Sequence, residues 1–248
     1  MTRMTARSVV LSVLLGAHPA YASAGELIRL ATDFGIKEVT LRVALTRMVG
    51  SGDLTRSADG YRLSDRLLAR QRRQDQAMRP RVHPWRGYWT TAVVTSVGSD
   101  ARNRAWLRNA LSENRFAELR EGVWLRPDNL ELELMPDLAA RLRILRSRDA
   151  APAQLAGQLW DLSAWAQSGQ RLLDDMATAV GMPGRFVVAA AMVRQLLVDP
   201  ILPAELLPDD WPGTQLRSVY NSFVVELTEL MGRRNLTHFS QPNPVELT

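Results

Sequence analysis

The order of elements legible in this sequence predicts an α+β protein in three parts. Three observations carry that prediction. Near the N-terminus, two amphipathic helices are split by a short turn and followed at once by a hairpin. Residues 88–149 then read in the order β-α-β-β-(α)-β. Beyond Pro152 the apolar periodicity is that of helices almost throughout.

The first part starts from "SAGELIRLATDFG". Ser23 and Glu26 make an S-x-x-E capping box. Leu27, Leu30, Ala31 and Phe34 follow as one apolar stripe, and Gly35 stands where a left-handed C-terminal residue is wanted. The second helix is "KEVTLRVALTRMV", with Leu41, Ala44, Leu45 and Met48 on one face and Gly50 and Gly52 closing it. In "DLTRSADGYRLS", Leu54–Arg56 and Tyr61–Leu63 are strand candidates. Gly60 is expected to supply a positive φ in the turn between them. Two helices joined by a short Gly-containing turn, followed by such a wing, make a winged helix-turn-helix.

That arrangement needs one more helix in front. "ARSVVLSVLLGAH" is the available segment, with Val9, Val10, Val13 and Leu14 on an apolar face. The same stretch, preceded by Arg3 and Arg7 and followed by "AYASA", also has the outline of a secretory leader. Cleavage at "AYA" or "ASA" would remove the helix and break the capping box. The reading is therefore a first helix, and a cytoplasmic protein.

Charge placement agrees with a polyanion partner. Residues 1–80 hold 13 Lys/Arg against 7 Asp/Glu, a balance of +6, whereas residues 81–248 hold 18 against 19, a balance of −1. A small basic domain on a near-neutral body fits nucleic acid, or else a merely solvated Arg-rich surface. On the second helix, the side away from the core carries Val39, Val43 and Thr46, flanked by Arg42, Thr40 and Arg47. An Arg can bond guanine bidentately, and exposed valines suit thymine methyls or a protein contact. Lys37 and the wing residues Arg56 and Arg62 are placed to hold phosphates.

The linker is expected at 79–87, after a polar helix whose Arg70, Arg72 and Arg73 either touch a DNA backbone or form a solvated face. All seven tryptophans lie beyond that helix, from Trp85 onward. "WTTAVVTS" reads as a buried strand and "DARNRAWLRNALSEN" as a helix with Trp106, Leu107, Ala110 and Leu111 inward. "FAELREG" and "VWLRP" read as two short strands. "NLELELMPDL" fits strand by alternation and helix by propensity, and "ARLRILRSR" alternates as a half-buried strand. This order is that of a ferredoxin-like sandwich. The last part carries "PAQLAGQLWDLSAWAQSGQRLLDDMATA", "RFVVAAAMVRQLLVD", a Pro-punctuated loop and the closing helix "TQLRSVYNSFVVELTELMG". The expected domains are 1–78, 88–149 and 150–248.

Several function classes are excluded. With no cysteine there is no disulfide scaffold, thiolate metal site or cysteine nucleophile. His18, His83 and His238 are isolated, and no nucleophile elbow, P-loop or dinucleotide fingerprint appears. No enzyme, cofactor or metal is expected. No apolar run approaches the ~18–20 residues of a membrane span. The alternative to a DNA reader is a non-catalytic scaffold or membrane-surface protein, but the Arg residues are spread over a compact domain lacking bulky apolar anchors.

"DPILPAELLPDDWPG" (Asp199 to Gly213) resembles the hallmark segment of the PaaX-type transcriptional repressors. "FGIKEVTLRVALTRMVGSGDL", "GVWLRPDNL" and "QLWDLSAW" fit the same family in order and spacing, over most of the chain. The resemblance implies a winged-helix reader, a Cas2-like middle domain and a helical C-terminal domain. It also implies a homodimer on palindromic operator DNA, released by a small-molecule effector, in the founding case an aryl-acetyl-CoA thioester. The family's recognition-helix pattern falls on Leu41, Arg42, Ala44, Leu45, Thr46 and Arg47. Two positions depart from the family: Lys37 stands where a capping Asn is expected, and "VTSVGSD" lacks an Asp straight after the strand, against metal-nuclease chemistry. For a CoA thioester, Trp160, Trp165 and Arg194 are candidate contacts, although both tryptophans fit a helical core as well.

Overall fold

The computed structural model describes residues 5–95 and 100–230. These divide into two compact units, one of residues 5–74, 172–193 and 216–230, the other of residues 75–95, 100–171 and 194–215.

In the first unit, α1 (Ala6–Gly16) starts at Thr5, whose hydroxyl accepts from the Ser8 amide. It is followed by β1 (Tyr21–Ser23), α2 (Ala24–Asp33), α3 (Glu38–Gly50), β2 (Leu54–Arg56), β3 (Gly60–Leu63) and α4 (Asp65–Met78). The capping box forms: the Glu26 amide donates to Ser23 Oγ at 3.2 Å and the Ser23 amide to Glu26 Oε2 at 2.7 Å. Gly35 and Gly52 take the left-handed conformation, with φ of 65° and 69°. Val9, Val10, Val13 and Leu14 of α1 are all buried, so the segment with a leader's outline packs as core. Val10 and Leu14 meet Leu27, Leu41, Leu45 and Met48 there. Burying each such side chain contributes ~1.5–3 kcal/mol. The buried Gln71 of α4 caps the other end of α1, donating to Leu14 O, Leu15 O and Ala17 O at 3.1, 3.3 and 2.8 Å.

Gly60 corrects one expectation. It has no positive φ and is instead the first residue of β3, opposite Ser23 of β1. The sheet has three strands, in the order β1-β3-β2, all antiparallel. A Cβ at Gly60 would lie 2.4 Å from Ala22 O and 2.8 Å from the Tyr21 ring. Close approach, not backbone handedness, requires glycine here.

The second unit holds β4 (Trp89–Val94), α5 (Ala101–Glu113), β5 (Ala117–Arg120), β6 (Val123–Pro127), α6 (Pro136–Ala139), β7 (Leu142–Ser147) and α7 (Pro152–Leu159). The strands form one antiparallel sheet in the order β5-β6-β4-β7. Asp100 caps α5, accepting from the Asn103 amide at 2.7 Å. Leu107 and Leu111 point inward as expected, but Trp106 does not: it is 40% exposed under the Arg141 guanidinium, 5.4 Å from its ring centroid. β7 is exposed along most of its length, Ile144 and Leu145 included, so it is not half-buried.

The ambiguous "NLELELMPDL" becomes neither a regular strand nor a long helix. Buried Arg126 of β6 takes its backbone instead, donating to Leu130 O at 2.7 Å and Glu131 O at 3.1 Å. Leu132 and Leu134 still turn toward the core, and Pro136 then opens α6. The run after Pro152 also breaks. Trp160 is extended and stacks on Trp89 at 6.4 Å, and Asp161 accepts from the Ala164 amide at the start of a new helix, α8 (Leu162–Thr178). Two more helices follow, α9 (Gly181–Leu197) and α10 (Gly213–Leu230), with a short 3-10 turn at Ala204–Leu206 between them. The segment from Asp199 is tied down by side chains of its own unit. Arg115 donates to Asp199 O at 2.9 Å and Asn129 to Ile201 O at 3.0 Å.

The helices after Pro152 are thus shared between the two units. Within the first unit, Phe186 of α9 meets Phe34 edge-on at 4.9 Å and Phe223 of α10 at 6.1 Å. Gln74 also donates to the Tyr220 hydroxyl at 3.2 Å. Among the described residues, no helix is long and apolar enough to cross a membrane. His238 and most of "VTSVGSD" lie outside the described residues.

Candidate nucleic-acid interface

The outer face of α3 is shaped by what its inner face buries. Leu41, Leu45 and Met48 are buried, which turns Val39, Thr40, Arg42, Val43, Thr46 and Arg47 outward. Val39 is 73% exposed and Val43 46%, so two β-branched apolar side chains stand on this outer face. The six residues form two groups. Val39, Thr40, Val43 and Arg47 line an open groove of about 630 Å³, whose other wall includes Thr5 and Arg7 at the start of α1. Arg42 is on the other side, held by Glu38 through Nε and Nη2 at 2.8 and 2.6 Å. The Thr46 hydroxyl donates back to Arg42 O at 3.0 Å. Lys37 is the exposed N-cap residue, and its side chain makes no capping hydrogen bond, as its replacement of an Asn leads one to expect.

The hairpin carries the other two candidates. Arg56 and Arg62 are both exposed, on paired strands β2 and β3. The Arg62 guanidinium lies 5.4 Å from the centroid of the Tyr21 ring, so β1 supports it from the side.

Sequence reasoning missed the polar group behind this surface. Asp53, at the end of the turn from α3 to β2, is buried, with its side chain only 3% exposed. Arg7 Nη2 of α1 donates to its Oδ2 at 2.8 Å, and Arg66 Nη2 of α4 donates to its Oδ1. The Ser51 hydroxyl adds a third donor, at 3.2 Å. The Arg7 hydrogen bond holds the Asp53 carboxyl below the usual carboxylate range, and Ser51 and the charge of Arg66 act in the same direction. No local pattern marks this group, since its members are 46 and 13 residues apart.

The candidate effector residues have different surroundings. Trp160 packs into the core with Trp89 and Leu155, Trp165 stacks on Trp211 at 4.2 Å and 13°, and Arg194 is an exposed residue of α9. Trp165 Nε1 is buried without an acceptor among the described residues.

Three family models match in succession: the PaaX-like protein over residues 5–67, the PaaX protein central Cas2-like domain over 82–158, and the PaaX-like protein C-terminal domain over 160–235. No curated protein matches the chain. Among solved structures, it is similar to the uncharacterized protein Rv0674 from Mycobacterium tuberculosis, with 69% identity and a TM-score of 0.83, over 92% of this chain and 97% of that one. With its α+β architecture, its Cas2-like central sheet and all three models in order, the chain belongs to the PaaX-like family of transcriptional regulators.

Proposed function

We propose that the protein is a dimeric, ligand-responsive repressor of transcription that binds palindromic operator DNA. The observation that carries this reading is the outer face of α3: exposed valines and threonines between arginines, followed directly by a hairpin bearing Arg56 and Arg62. Residues 1–78 act as a winged helix-turn-helix, 88–149 as the middle domain and 150–248 as the helical C-terminal domain, with 79–87 as linker. Val39 and Val43 contact thymine methyls, Arg42 and Arg47 reach base edges, and Lys37, Arg56 and Arg62 hold phosphates. In the dimer, two α3 helices occupy major grooves about 34–36 Å apart, so the operator has two-fold symmetry. A small-molecule effector, with an aryl- or acyl-CoA thioester the first to try, favours a dimer geometry in which that spacing is wrong. The protein works without a cofactor, in the cytoplasm.

The test is selection from a random duplex library at near-physiological salt, followed by sequencing of the retained duplexes. A palindrome with half-sites about one helical turn apart supports the reading. Retention without a motif overturns it. On the selected duplex, Arg47→Ala should cost ~1–3 kcal/mol and relax preference at one position.

A further inference from the structure

We infer that Arg7 and Arg66, spaced and aimed by the buried Asp53 carboxylate between them, form a clamp for backbone phosphate beside the groove lined by α3. This rests on the DNA-binding reading and adds residues that the recognition pattern does not contain.

The geometry supplies the argument. Asp53 uses one oxygen for each arginine, so the two guanidiniums flank a single carboxylate. The carboxylate is buried, yet the arginine side chains stay 60% and 69% exposed. Each guanidinium has five N–H donors, and the Asp53 contact occupies Nη2 alone. The remaining donors belong to side chains that stay largely exposed yet are held at one end by Asp53, which lowers the entropy lost on gripping a phosphate. The three residues carry a net charge of about +1, the right sign for a phosphate. Position agrees as well. Arg7 lines the same groove as Val39, Thr40, Val43 and Arg47, so a strand whose bases meet α3 passes its backbone along the start of α1. Asp53 is a positioning residue here, acting through the two arginines.

The experiment uses the full chain, with anisotropy titrations of the selected duplex and an unrelated duplex over a range of salt. Arg7→Gln and Arg66→Gln should each weaken binding to both duplexes alike and lower the magnitude of the salt slope by ~0.9. Asp53→Asn gives the sharper result because it adds one positive charge. Charge alone requires tighter binding, whereas the clamp requires binding weaker by roughly tenfold on both duplexes. That loss should disappear in a background already carrying Arg7→Gln and Arg66→Gln. If Asp53→Asn is unfolded at the working temperature, the two arginine variants decide, since each leaves Asp53 one partner. Unchanged salt slopes in both arginine variants, or tighter binding by folded Asp53→Asn, overturn the clamp. The DNA reading fails separately, when the unaltered chain binds neither duplex or binds both equally.

Discussion

Asp53 in the first unit and Arg126 in the second are buried charges stabilised in opposite ways. Asp53 is a buried anion whose cationic partners reach out to solvent, with Arg7 and Arg66 more than half exposed. Arg126 is a buried cation, 3% exposed, whose hydrogen-bond acceptors are backbone carbonyls: Asn114 O at 3.2 Å, Leu130 O and Glu131 O. It also lies over the Phe116 ring at 5.3 Å, and burial pushes its ionisation down to about 10, still well above neutrality. The Arg126 charge is committed to the fold, because its donors hold a segment with no ladder of its own. The Asp53 charge organises the surface, because the groups it orders still have donors to offer. Burial of the charge is common to both, and the exposure of its partners separates structure from recognition.

The largest effect is expected from Arg126→Ala. It leaves three carbonyls without their donor and opens a cavity against Phe116, so unfolding free energy should fall by ~3–5 kcal/mol. Chemical denaturation checks this, and DNA affinity of the folded fraction should be unchanged. Asp53→Ala comes next, with a loss of ~2 kcal/mol, reduced because both arginines regain water once freed. Acid titration sharpens the contrast. The Asp53 carboxyl is held below its unfolded value, so its contribution is fully present above about pH 4 and is lost as pH falls through the lower folded value. Thermal midpoints between pH 5 and pH 2 should therefore drop less in Asp53→Asn than in the unaltered chain. The smallest effect is expected for Arg7→Gln, at ~1 kcal/mol in stability, since the buried Asp53 carboxylate loses one donor but keeps Arg66 and Ser51. A large loss there would move Arg7 into the same class as Arg126.

Local chemistry makes much of the first unit legible in the sequence. The Ser23–Glu26 box, the glycine after α2 and the α3 stripe of Leu41, Leu45 and Met48 are each settled within a few residues of chain. The outward residues of α3 followed from the same helical period. Legibility stopped where a partner came from far along the chain. β1 has only three residues and no period to detect, so the close approach that selects Gly60 leaves no local signal. Trp106 looked inward by spacing and is half covered by Arg141 instead. The alternation in "NLELELMPDL" was real, but Arg126 had already claimed the backbone that a strand would have used.

By itself the sequence determined the α+β class, the helix-turn-helix-hairpin order, the strand order of the middle region along the chain, and the family. All of these rest on short-range periodicity, capping and motif spacing, which act through neighbours in the chain. Folding in three dimensions added the third strand of the N-terminal sheet, the sharing of the last helices between two units, the Phe34–Phe186–Phe223 contact and the Arg7–Asp53–Arg66 group. Those depend on close approach and on sharing a buried charge between residues that only the packed chain brings together. A one-dimensional pattern carries no record of such distances.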